Sequence, residues 1–280
     1  MPVTLSTQFH VDTQFTTQDL ALSLDMFSDR VLKPAIAAIA NKIDRDGLTM
    51  ANLQTANIVG TAGTPPSDLI TYLTAGAYLD AEGAPRDGRR SMTVEPFTSA
   101  VIVNSLKGLF VPPEVIGQQY RKGLMGRDSG GMNWKMDQNV VSQTFGSFAG
   151  TSTIDTTSSN TGILTTGWAS TSTVTITKSG TVTPNVGDTF QIAGVYAVNP
   201  QNRQAYGSNK LRNFVIKSIS GTTVVVSPAI ISGGQFQNVS IPSTSATAAM
   251  TYFNTAGAVS PQNILMHKNA FTLAVADLEL

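Results

Sequence analysis

The residues that could do chemistry are few and scattered. His10 and His267 are the two histidines of the 280-residue chain, and neither has a second ligand-type residue at metal-binding spacing. Gly146-Ser147-Phe148-Ala149-Gly150 places its serine one position early for a nucleophile elbow, so it does not offer the strained strand-to-helix serine that acyl transfer needs. Asp44-Arg45-Asp46-Gly47 has the flavour of a calcium loop. Its glycine falls fourth rather than sixth, and no glutamate closes the loop at the twelfth place, so Gly47 reads as a helix C-cap. Gly123 to Gly131 is rich in glycine, but it lacks the Lys-Ser/Thr of a phosphate-binding loop and leads into an extended segment. Glu82, Glu95, Glu114 and Glu279 have no partner carboxylate for glycoside chemistry. Nothing asks for a catalytic site, a cofactor or a metal, and the expectation is that the protein is not an enzyme.

The elements that would carry such residues are clearer. Thr16 to Gly47 is the longest helix-periodic run. Thr16 or Thr17 serves as N-cap, Leu20, Leu24, Phe27 and Val31 form one stripe, Pro34 bends the rod, and Ile36, Ile39 and Ile43 resume it. About 30 residues at roughly 1.5 Å each give a rod of about 45 Å. Thr4 to Phe15 alternates as a strand. Residues 51–148 read as mixed α and β. A helix starts after Thr64-Pro65-Pro66-Ser67-Asp68, with Leu69, Leu73, Ala77 and Tyr78 as its buried stripe. Ser91 to Val94 is a strand stopped by Pro96, and Val101 to Phe110 fits either strand or helix. A further helix opens at Pro112, and an extended segment surrounds Trp134.

Composition then changes. Charged residues make up 13% of the chain, net charge is zero, and cysteine is absent. Residues 146–262 hold seven charges, against 26 in residues 1–145. Within that neutral stretch, Thr173 to Thr177, Phe190 to Val195, Phe214 to Ile219 and Thr222 to Val226 alternate as strands. Ala246 to Phe253 is weaker, and Gly187-Asp188 and Ser220-Gly221 are turns. Thr151 to Thr166 reads as a Ser/Thr/Gly-rich boundary. The pattern predicts a small all-β domain, barrel or sandwich, inserted into an α+β domain. The last 20 residues then hold a helical turn and an apolar strand. Low charge argues against a dedicated nucleic-acid binder, no apolar run reaches 18 residues, and weak self-repulsion suits a molecule that packs against its own copies.

The ordered run Gln8 to Leu20, Ser28 to Asn41, Ile58-Val59-Gly60, Phe110-Val111-Pro112, Gly123-Leu124-Met125-Gly126-Arg127, Asn133-Trp134, Gly187-Asp188-Thr189-Phe190-Gln191-Ile192-Ala193-Gly194-Val195, Asn199-Pro200 and Asn213-Phe214-Val215 resembles the major coat protein of short-tailed phages of the Salmonella podovirus type. The resemblance implies the tailed-phage major capsid protein fold (the Johnson fold), α+β with a long spine helix, a mixed axial domain and an inserted all-β barrel-like domain. It divides the chain into residues 1–50 (extended-loop strand and spine helix of the peripheral domain), 51–149 (axial domain, first part), 150–260 (inserted β domain) and 261–280 (return to the axial domain, cut short). Family members carry an arm before the position of Phe9 and further strands beyond that of Leu280, so the resemblance implies a partial reading frame or a trimmed chain.

The function so implied is a structural capsid subunit of a tailed bacteriophage. Many copies would assemble in the host bacterial cytoplasm into hexamers and pentamers of an icosahedral shell around double-stranded DNA. Scaffolding and portal proteins would be partners, contact with DNA would be weak and nonspecific, and there would be no membrane. Between Val195 and Phe214, Arg203, Lys210 and Arg212 are the densest positive charge of the β domain; they are expected to reach an acidic surface of an adjacent subunit, and a solvated loop is the equal alternative. The alternative from another class is a secreted β-rich adhesin or carbohydrate-binding module built on residues 150–260.

Overall fold

In the computed structural model, residues 7–12, 14, 17, 28–106, 130–207, 209–253 and 255–276 are described. The expected N-caps at Thr16 and Thr17, the stripe Leu20–Leu24–Phe27, the helix from Pro112, the loop 123–129 and the chain end at 277–280 lie largely or wholly outside these residues.

A π-helical turn (Ser28–Leu32) runs into helix α1 (Lys33–Gln54). Pro34 sits in the first turn of α1, where its missing N–H has no intrahelical partner to lose. Gly47 does not end this helix. Leu48 and Ala51, one and four positions further on, are buried beside Ile264, and that burial outweighs the roughly 1 kcal/mol that an interior glycine costs. The described residues 7–12 and 14 carry no strand, contrary to the expectation for Thr4 to Phe15. Phe9 instead lies under the Lys42 ammonium, 5.6 Å from ring centroid to Nζ.

Helix α2 (Leu69–Ala81) follows the two prolines as expected, but its buried residue is Tyr72, while Leu73 is 42% exposed. The tyrosine ring packs edge-on against Trp134, with centroids 5.1 Å apart, and its hydroxyl donates to the Pro66 carbonyl. Strand β1 (Arg90–Val94) ends before helix α3 (Pro96–Leu106). The proline that stops the strand thus starts a helix, which resolves the ambiguity at Val101 in favour of helix. Strand β2 (Asn133–Met136) pairs parallel with β1. Met92, Val94, Ile102, Met132, Trp134 and Tyr72 form the core of this part.

The chain then crosses into a second body through β3 (Ser142–Thr144). Its strands are β4 (Ser147–Ile154), β5 (Ile163–Leu164), β6 (Ser172–Thr183), β7 (Thr189–Ala197), β8 (Leu211–Ser220), β9 (Thr223–Ser227), β10 (Ile230–Ile231), β11 (Val239–Ser240) and β12 (Ala248–Tyr252). The hydrogen-bonded order β11-β7-β12-β4-β6-β9-β8, with β7 also pairing to β8, closes a six-stranded antiparallel barrel of β4, β6, β9, β8, β7 and β12. Closure removes the free edges that an open sheet of this size would leave. Every second side chain points inward, as the first residues of β6 show with Ser172, Val174 and Ile176 buried and Thr173, Thr175 and Thr177 exposed. Phe190, Phe214, Ile192, Ile216 and Val226 fill the interior with no measurable exposure.

Strand β4 has no signature in the sequence. Its first five residues, Ser147 to Thr151, show no apolar alternation, yet it pairs with β6 along eight consecutive positions. The chain returns through β13 (Val259–Pro261), paired with β3, to β14 (Ile264–His267), which lies antiparallel on β1. The strand therefore falls where a helical turn was expected. The apolar stretch at 271–276 forms none, because no described strand offers it an edge.

A β-carbon at Gly47 would meet nothing within 4 Å. Gly47→Ala is therefore expected to raise stability by about 0.5–1 kcal/mol, measured by urea unfolding. A loss of stability would return Gly47 to the role of a cap.

Candidate functional site

No described cluster brings together three or more His, Asp or Glu side chains that could hold a metal. Asp44 accepts a hydrogen bond from Asn139 at 2.9 Å and Asp46 one from Lys42 at 2.9 Å, so the two carboxylates of the calcium-like motif face different partners. His267 is buried, with Nε2 3.1 Å from Asp87 Oδ1 and Nδ1 accepting the Asn269 N–H. His10 lies on the exposed N-terminal segment beside Asp12. Ser147 is the first residue of β4, paired with Thr183. Gly130 and Gly131, the described end of the glycine-rich loop, form a turn with φ of 68° and 77°.

The side chains with definite work to do lie along the seam between the helical body and the barrel. One half of the seam is the C-terminal end of α2. A helix C-terminus carries partial negative charge, and this one adds Asp80 and Glu82. Cations gather there from two directions. Arg86 and Arg90 both bond Asp80, with Arg90 Nη2 2.7 Å from Oδ1. The buried Arg90 also donates to the Ala84 and Pro85 carbonyls. These bonds, that from Arg86 foremost, hold the Asp80 carboxyl well below the usual carboxylate range.

From the barrel comes the long connection between β7 and β8. Arg212 bonds Glu82 Oε1 at 2.5 Å, Lys210 Nζ sits 3.6 Å over the Tyr78 ring, and the Tyr206 hydroxyl bonds the Ala81 carbonyl. Beside them a polar ladder runs from Gln191 to Asn213 (2.8 Å) and from Asn213 to Asn57 (3.1 Å). Two of the three expected contact residues, Lys210 and Arg212, thus face the chain's own α2. Arg203 stands apart. It is exposed at the far turn of the same connection, with φ of 59° in the left-handed region.

The other half of the seam is the root of the barrel. Asp188 is fully buried. Its carboxylate accepts the Asn185 N–H at 2.6 Å and the Gly146 N–H at 3.3 Å from both oxygens. Gln143 donates to the Val186 carbonyl at 2.6 Å and Asn185 to the Thr144 carbonyl at 3.2 Å. The turn between β6 and β7 is thereby fastened to the strand that carries the chain into the barrel. Only glycine fits at 146, since a β-carbon would lie 2.4 Å from the Thr183 carbonyl and 2.8 Å from Asp188 Oδ2. Burial pushes the Asp188 carboxyl up to about 6 against the pull of its two backbone donors. A cleft of about 190 Å³ lies between the two halves, bordered by Asn57, Tyr72, Tyr78, Asn263 and Gly187.

This arrangement orients and fastens one body on another. Residues 3–280 match the model of the P22 coat protein family, described as P22 coat protein, gene protein 5. The chain belongs to that family. It is a phage capsid structural protein, located in the virion shell, into which its copies assemble. That membership displaces the adhesin reading. No curated protein matches the sequence. Among solved structures, the CUS-3 coat protein I-domain is similar at 25% identity, covering 38% of this chain and 96% of that one, with a TM-score of 0.27.

Sequence reasoning missed the coat subunit's Asp188, which read only as half of a turn signal, and Asp80 and Glu82. The available hints were an acid at the mouth of an apolar strand and two acids at the unfavourable end of a helix.

Two outcomes test the seam. The raised Asp188 pKa means that the folded state holds its proton more tightly than the unfolded chain does. Its contribution to stability is therefore greatest below about pH 4 and falls as pH rises toward 6, by on the order of 3 kcal/mol. Asp188→Asn is expected to remove that component, so the difference in unfolding free energy between wild type and variant should change across this window. Parallel profiles would show that Asp188 does not titrate there. At the helix end, a double-mutant cycle of Arg212→Gln and Glu82→Gln is expected to give a coupling of about 1 kcal/mol, since Glu82 is one-third exposed.

Proposed function

We propose that this coat subunit forms the hexamers and pentamers of an icosahedral shell around the double-stranded DNA of a tailed phage. The shell assembles in the bacterial cytoplasm with scaffolding and portal proteins, and the subunit performs no chemistry of its own. The observation that carries this reading is α1. Of its 22 residues only Leu48 and Ala51 are buried, and Ile36 and Met50 are 65% and 41% exposed. A helix with so little of its surface covered gains its stability from neighbours, as a shell subunit does.

In this reading residues 1–50 are peripheral, 51–149 and 261–280 axial, and 150–260 the inserted β domain. The exchange of one body for the other at β3 and β13 supports the division. Arg203 is the residue that reaches an acidic surface of an adjacent subunit, while Lys210 and Arg212 hold the connection that presents it. Exposure at the turn and the absence of a described side-chain partner support that role. Contact with packaged DNA is weak and independent of sequence.

Gel filtration with light scattering, joined to electron microscopy of the large fraction, tests the shell. Rings, capsomers or closed particles are expected, and a monomer under every assembly condition would sink the reading. Arg203→Glu is expected to leave the melting temperature unchanged and reduce the assembled fraction. Assembly at the wild-type level would remove Arg203 from the interface.

A further inference from the structure

We propose that Arg89 and Lys268 form a phosphate-binding patch through which the coat subunit contacts the backbone of duplex DNA. The inference rests on the capsid reading above and gives its weak DNA contact a place.

Strands β1 and β14 are antiparallel with Arg90 opposite His267, and the ladder runs one pair further, because the Lys268 N–H donates to the Arg89 carbonyl at 3.1 Å. Arg89 therefore stands directly across from Lys268. Arg90 and His267 point into the protein, so the next pair points out, and both side chains are exposed. Like charges placed directly opposite on neighbouring strands destabilise each other, and a bound anion relieves that repulsion.

Little in the protein neutralises them. Glu82 is taken by Arg212, and Asp80 is shared by Arg86 and Arg90. Asp87 is shared between His267, at 3.1 Å, and Arg89, whose Nε it meets in an ion pair at 3.8 Å, so Arg89 is partly neutralised, and no described carboxylate pairs with Lys268. A chain with no net charge therefore presents a local surplus of cations at this sheet end.

The surroundings favour phosphate over a protein partner. Gly88, Asn133 and Asn269 border the pair, with the Asn133 amide bonded to the Gly88 carbonyl at 2.8 Å. No large apolar side chain is exposed among the described residues 84–90, 130–133 and 267–270. Protein interfaces centre on aromatic and apolar anchors, whereas sequence-independent DNA contact needs cations and small polar groups that let the backbone approach.

The test uses the full chain and a fluorescently labelled DNA duplex, with binding measured by anisotropy over a range of salt. Wild type is expected to bind at low salt independently of sequence. Arg89→Gln with Lys268→Gln should lower the slope of log K against log salt by about two, ~0.9 for each phosphate that is no longer neutralised. Lys178→Gln should leave the slope unchanged, since Lys178 lies on β6 of the barrel and not on the sheet of β1 and β14. Circular dichroism checks folding, and if the double variant fails that check, Lys268→Gln alone is read for a drop of about one. No duplex binding by wild type, or an unchanged slope in a folded variant, overturns the patch. So does a variant that loses binding to polyglutamate but keeps it to the duplex, which would mark an acidic protein as the partner. Shell formation is scored separately on the same samples. Variants that assemble but lose DNA support the patch, and a wild type that binds DNA yet never assembles refutes the capsid reading while leaving the patch standing.

Discussion

The pairing of β7 with β8 closes the barrel, and most of the molecule's organisation depends on it. Without that ladder the sheet would end in two edges, with Phe190 and Phe214 facing water between them. With it, the two ends of the connection from Val198 to Lys210 are pinned side by side. A connection held at both ends can only project outward, and it projects onto the C-terminal end of α2. The hydrophobic closure of one body thus sets the position of the polar contacts that fasten it to the other.

Those contacts are of two kinds. At α2, cations from the barrel and from the loop after the helix meet two carboxylates and a free helix end, so the electrostatics of the backbone and of the side chains reinforce each other. At the root, Asp188 holds backbone N–H groups of the crossing strand and of its own turn. The first kind is partly exposed, apart from Arg90, which is buried against Asp80. The second is buried, and its charge state depends on pH. The barrel is therefore held by several modest interactions around a cleft rather than by a continuous apolar interface.

A shell subunit has reason for this design. It must keep a defined shape while leaving surface for its copies, and α1 shows the consequence, with Leu48 and Ala51 as its only fully buried residues. Low overall charge lets copies approach closely. At the seam, the charges of Asp80, Glu82, Arg86, Arg90 and Arg212 pair and give the contact its direction.

The sequence by itself determined the elements whose side chains repeat with the period of their structure. The alternation of Val174 and Ile176 with threonines marks β6, the prolines before Asp68 mark the start of α2, and the fall in charge after residue 145 marks the second body, because local geometry alone imposes those patterns. It did not reveal β4, whose first half, Ser147 to Gly150, has no alternating apolar pattern and becomes a strand because β6 offers it eight backbone partners. Gly47 looked like a stop because glycine favours caps, and tertiary burial of Leu48 and Ala51 carried the helix past it. Asp188, Arg212 and Lys210 were visible as charges, but each owes its role to a partner 42, 130 or 132 positions away. Periodicity is a property of neighbours along the chain, whereas the pairing of charges depends on which distant segments a closed fold brings together, and only the tertiary structure decides that.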